Sequence, residues 1–131
     1  MEKIIDTLDW PLVYFAMPVQ VSDDHADTVL AHITAIYERA SPFVLFLKGP
    51  ALPHHSPQFL TAYLRWSKEN HALQQRYCRG AIRIEPDDDA RKYYLQQATQ
   101  YNASGQAAYP YHVVATKEEA HTLAASLLVP S

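Results

Sequence analysis

Pro42-Phe43-Val44-Leu45-Phe46-Leu47 is a proline followed by five consecutive apolar residues. Such a run is too short for a helix, and its lack of alternation implies that both faces are covered, as in the interior of a parallel sheet. Upstream, Pro11-Leu12-Val13-Tyr14-Phe15-Ala16-Met17 has the same character and is closed by Pro18. Between the two runs, Ser22 opens a helix as N-cap, with Asp23 and Asp24 at the positive end of its dipole. Ala26, Val29, Leu30, Ile33, Ile36, Tyr37 and Ala40 follow at three-and-four spacing and define one buried stripe, which Ser41-Pro42 ends. Strand, helix and strand at this spacing make a βαβ unit, because parallel neighbours cannot be joined by a tight turn. The runs around Val13 and Leu45 are therefore predicted to lie side by side, pointing the same way, beneath helices.

The pattern continues in both directions. Lys3-Ile4-Ile5 reads as a short edge strand, turned back antiparallel through Thr7-Leu8-Asp9. After Leu47 comes a Pro-rich loop, Lys48-Gly49-Pro50-Ala51-Leu52-Pro53-His54-His55, then Ser56-Pro57 as N-cap and first helical residue. Phe59, Tyr63, Trp66, Asn70, Leu73 and Tyr77 predict one long helix with an aromatic stripe, with Gly80 as its stop. Ala81-Ile82-Arg83-Ile84-Glu85 alternates like a strand with one wet face, nearer a sheet edge. Pro86-Asp87-Asp88-Asp89 starts a helix through Tyr93, Tyr94, Leu95, Ala98 and Tyr101, which Asn102-Ala103-Ser104-Gly105 breaks. Tyr111-His112-Val113-Val114-Ala115 is the last strand, and Thr116-Lys117-Glu118-Glu119 is a capping box ahead of Ala120, Leu123, Ala124, Leu127 and Leu128. The sum is four βα units: an α/β fold, with a four- to five-stranded mostly parallel sheet in βαβαβαβα order, as a single domain over 1–131.

Composition narrows the function classes. A chain of 131 residues, 48% hydrophobic and 19% charged, suits one soluble core. Its net charge of -3 speaks against nucleic acid, which demands a basic face. The N-terminus lacks the apolar region of a signal peptide, and no run approaches the roughly 18 apolar residues of a membrane span. With Cys78 as the single cysteine, no intrachain disulfide can form. A cytoplasmic protein with no membrane partner is expected.

Catalytic signatures are missing. Seven histidines invite a metal, yet His54 and His55 are adjacent, His25 and His32 lie two helical turns apart, and no H-x-H or H-E-x-x-H occurs. Cys78, read in the last turn of a helix, sits where the dipole raises a thiol pKa. Ser22, Ser41 and Ser56 all mark helix boundaries, and no G-x-S-x-G elbow is present. Gly49, Gly80 and Gly105 are too scattered to cradle a phosphate, and Asp87-Asp88-Asp89 reads as a solvated cap. No cofactor and no metal are expected. Nine tyrosines, with Tyr93, Tyr94, Tyr101, Tyr109 and Tyr111 in the last third, cannot all be core unless each hydroxyl finds a partner, so some should face a groove or another subunit.

The ordered set Asp9-Trp10-Pro11-Leu12-Val13, Pro42 to Leu47, Trp66 with Glu69-Asn70, Arg76-Tyr77-Cys78-Arg79-Gly80-Ala81, and Thr116-Lys117-Glu118-Glu119-Ala120 resembles the STAS-type domain of sporulation anti-sigma-factor antagonists, more narrowly its single-domain bacterial relatives. The resemblance runs from about residue 9 to 128 and rests on the order of the pieces. It implies a non-enzymatic, cytoplasmic regulatory module that binds a protein partner, or its own copy as a homodimer, through the loop from Lys48 to His55 and the start of the next helix. In the antagonists a serine or threonine at that helix start is phosphorylated. Ser56 matches the place topologically, but His54-His55-Ser56-Pro57 replaces the usual Asp-Ser-Ser/Thr-Gly-type sequence, so the phospho-switch does not carry over and Ser56 reads as a cap. The alternative is a small-molecule binder for an anionic metabolite or nucleotide, using the crevice at the strand C-terminal ends, where Lys48, His54, His55 and Arg83 would supply charge. An enzyme with His54 or His55 as general base is a third reading, with no nucleophile to name.

Overall fold

In the computed structural model, residues 5–16, 21–48 and 56–129 are described. The elements are β1 (Ile5–Asp6), β2 (Leu12–Ala16), α1 (Asp23–Glu38), β3 (Phe43–Lys48), α2 (Pro57–Glu69), α3 (His71–Tyr77), β4 (Cys78–Ile84), α4 (Asp88–Ala103), β5 (Tyr111–Val114) and α5 (Lys117–Leu128). The five strands make one mixed sheet in the order β1-β2-β3-β4-β5, with β1 antiparallel to β2 and the remaining pairs parallel. Val13 is the register partner of Leu45. Lys3, Ile4, Met17, Pro18 and the loop 49–55 with His54 and His55 lie outside the described residues.

The two sheet faces are covered unequally. Val13, Phe15, Phe43, Leu45 and Ala81 point to the face packed by Val29, Ile33, Ile36 and Tyr37 of α1 and by Phe59 of α2. Val44, Phe46 and Ile82 point to the other face, against Ala120 and Ala124 of α5. Small residues on α5 let its backbone approach the sheet closely. Phe43, Phe59 and Ile82 are completely buried, and each such side chain stabilises the fold by about 1.5–3 kcal/mol.

Helix ends follow the expected chemistry in part. Thr116 Oγ1 accepts from Glu119 N at 3.1 Å, and Asp87 caps α4 by accepting from Ala90 N at 2.8 Å. Ser22 holds the N-cap position of α1, but its hydroxyl pairs with His25 Nδ1 rather than with a helix amide. Ala40 does not belong to the buried stripe: it is exposed beyond the end of α1, with φ 52 and its N–H on Tyr37 O.

Three expectations need correction. The predicted long helix is two helices, broken at Asn70 (φ -110, ψ 26), where the side-chain amide donates to Trp66 O at 2.9 Å. Buried Gln74 ties the pieces together by donating to Ser67 O at 2.9 Å. The helix ends at Tyr77, not at Gly80: Cys78 follows directly as its C-cap with an extended backbone, and Cys78 and Gly80 already belong to β4. The site of Gly80 is tight: a Cβ would stand 3.0 Å from Leu127 Cδ1 and 3.3 Å from Pro110 O, so its neighbours would have to give way. Finally, β4 has no wet face from Gly80 onward, although Arg79 near its start is exposed. Arg83, at the position read as solvated, is only 5% exposed, because the helices that follow β3 and β4 roof it over.

The outer edge of β5 is closed by a side chain. Asn102 donates from Nδ2 to Tyr111 O and accepts at Oδ1 from Tyr111 N, both at 2.9 Å, as a neighbouring strand would.

Gly80→Ala should destabilise the protein by about 1–3 kcal/mol in urea titration, because the added methyl meets Leu127 and backbone. His112 supplies a pH test. Its Nε2 is sealed from solvent with no hydrogen-bond partner among the described residues, and burial lowers its pKa below the ordinary histidine value. The native state therefore binds fewer protons than the unfolded chain, so this contribution is intact above about pH 6.5 and is lost as pH falls through it. His112→Leu should flatten the urea-midpoint profile between about pH 7.5 and 5.5; an unchanged slope would rule out His112 as its source.

Candidate functional site

A cleft of about 580 Å³ opens on the sheet face that carries α1 to α4. Phe15, Phe43, Leu45 and Leu47 form its floor with Arg83 and Tyr111, the odd-numbered positions of β2 to β5. Ile33, Ile36 and Tyr37 of α1 close one end, and Tyr63, Trp66 and Ser67 of α2 make one wall. Ala98 and Tyr101 of α4 make the other, with Tyr109 from the loop before β5. Exposed Leu64, Gln97, Gln100 and Tyr101 form the rim, beside exposed Lys48 at the end of β3.

Aromatic rings hold the walls. Tyr37 meets Phe43 edge-on at 5.2 Å and Trp66 at 5.7 Å. Trp66 Nε1 donates to Thr34 Oγ1 at 3.0 Å, which fixes α2 to α1. Tyr101 sits 6.3 Å from Tyr109 and 6.2 Å from Tyr111, ring centre to ring centre.

Arg83 is the charged member of the floor. Its Nε donates to Tyr111 Oη at 2.8 Å, and its guanidinium lies 4.4 Å from the centre of the Tyr94 ring. Both contacts orient the group, and a planar guanidinium so oriented suits a carboxylate. Arg83 stands opposite Leu47 in the register, next to the Lys48 terminus of β3, so the positive end of the cleft is the carboxyl end of the parallel strands.

Four tyrosines of the cleft are held in the neutral form by burial. Burial pushes the Tyr63 hydroxyl up to about 12 and raises those of Tyr37, Tyr101 and Tyr109 above the ordinary tyrosine value. They are hydrogen-bonding groups at neutral pH, not bases. Cys78, just beyond the floor, is likewise pushed up to about 12 by desolvation, outweighing its contact with Gly80 O. Among the described residues, no three His, Cys, Asp or Glu side chains gather in a way that could hold a metal ion.

Of the residues singled out in the sequence, Lys48 and Arg83 border the same cleft. Ser56 does not: it is buried, and its hydroxyl accepts from Val21 N at 2.6 Å. That bond pins the start of α2 to the segment before α1 instead of capping α2. Tyr101, Tyr109 and Tyr111 do face a groove, whereas Tyr93 is 58% exposed. Tyr37, Tyr63 and Gln74 were not anticipated as cleft residues; Tyr37 and Tyr63 stood in the helix stripes, where periodicity does not separate core from cleft.

No protein-family model, curated protein or solved structure matches the chain. Among the described residues, no helix is long and apolar enough to cross a membrane.

Cys78 should react with an aromatic disulfide reagent at neutral pH roughly a hundred-fold or more slowly in the native protein than in denaturant. Equal rates would contradict the burial of the thiol.

Proposed function

We propose that the protein binds a small amphipathic organic acid, with the apolar body lying along the aromatic cleft and the carboxylate at Arg83. One observation carries this reading: a buried, oriented guanidinium in the floor of a cleft otherwise lined mainly by apolar and aromatic side chains. The volume falls in the ordinary range for ligand sites, and the charged end lies at the carboxyl ends of parallel strands, where α/β sheets receive ligands. Exposed Lys48 adds positive potential at that end.

The STAS-like regulatory module, acting through a protein partner or a second copy, has less under it. Of its loop from Lys48 to His55, residues 49–55 lie outside the described residues, and a phospho-acceptor at Ser56 would need a hydroxyl that is buried against Val21 N.

The test is thermal unfolding with decanoic acid and with decanol. At a concentration about ten times Kd, the acid should raise Tm by roughly 5 °C, and the alcohol much less. Arg83→Gln should erase the difference. No shift with the acid at millimolar concentration, or equal shifts from both compounds, would overturn the proposal.

A further inference from the structure

The end of the cleft away from Arg83 is also polar. Along the floor, Arg83 is level with Leu47 and Cys78 with Phe43. Those levels are four residues apart on β3, a distance of about 13 Å at ~3.3 Å per residue. Tyr37 stands over Phe43, and Tyr63 and Tyr109 line the same cleft. Among the described residues, the hydroxyls of these three tyrosines form no hydrogen bond with the protein. They are not sealed in either, since the one sealed and unpaired side-chain polar atom among those residues is His112 Nε2. The three hydroxyls therefore open on the cleft, although Tyr37 as a whole is 5% exposed. A phenol hydroxyl that opens on the cleft and has no partner in the protein is free to donate to an occupant that supplies an oxygen.

Resting on the acid-binding reading above, we propose that the cleft recognises both ends of its ligand. The ligand is an extended acid about 13 Å long, with its carboxylate at Arg83 and a hydroxyl or carbonyl oxygen at its far end among Tyr37, Tyr63 and Tyr109. Because burial keeps these phenols protonated, each can donate to that oxygen.

The experiment compares decanoic acid with its ω-hydroxy derivative by titration calorimetry on the full chain. The hydroxyl should tighten Kd roughly five-fold, the effect of one net hydrogen bond. In an apolar chamber with no partner, the same hydroxyl would weaken binding. In the triple variant Tyr37→Phe, Tyr63→Phe, Tyr109→Phe the gain should vanish, so that the two acids bind that variant with equal Kd; the single variant Tyr109→Phe should reduce it. If decanoic acid binds and the ω-hydroxyl brings no gain, the two-ended reading is overturned and the acid site stands. If neither acid binds, both readings fall.

Discussion

Parallel strands that follow one another across a sheet must be joined by crossovers of one hand, and crossovers of one hand fall on one face. Here the parallel pairs β2–β3, β3–β4 and β4–β5 are neighbours in sequence order. The helices α1, α2 with α3, and α4 are thereby forced onto the same side, and α5 alone is left to cover the other. The crowded face and the thin face have different chemistry. Against α5 the packing is close and built on alanine, as Ala120 and Ala124 show. On the crossover face the gap between α2 and α4 is spanned by tyrosine and tryptophan, and those long rings leave the cleft between them.

The same constraint explains the burial of Arg83. Its register position beside Leu47 points it to the crossover face, where α4 covers it and presents Tyr94 to the guanidinium. An arginine so placed is held by an aromatic face and a phenol, with its fork directed by the protein and not by solvent. A charge in that position biases the cleft toward anions. The neighbouring phenols, kept protonated by burial, bias its far end toward neutral oxygen groups.

Ser56 shows how one residue type can serve two roles that look alike in sequence. A serine before a proline at a helix start satisfies every rule for a cap, and it does stand at that boundary. Its hydroxyl is taken by Val21 N, thirty-five positions away. Asn102 makes the converse point: read in the sequence as the start of a helix-breaking segment, it lies in the last turn of α4 and completes the hydrogen bonding of Tyr111 on the β5 edge. Long-range hydrogen bonds of this kind leave no periodic trace in the chain.

The sequence alone determined the alternation of strands and helices, and the parallel pairing of the runs around Val13 and Leu45. Both follow from local periodicity and from the geometry of chain connection. It also named Lys48 and Arg83 as charges near the strand ends, and the late tyrosines as candidates for a groove. Only the tertiary structure decided that α2 and α3 separate at Asn70, that Gly80 belongs to a strand pressed against Leu127, and that Arg83 is roofed over. An alternating strand reads as half-solvated because alternation reports residue type and not what lies above each face. That cover is set by helices contributed from distant parts of the chain, and the cleft exists only where they meet.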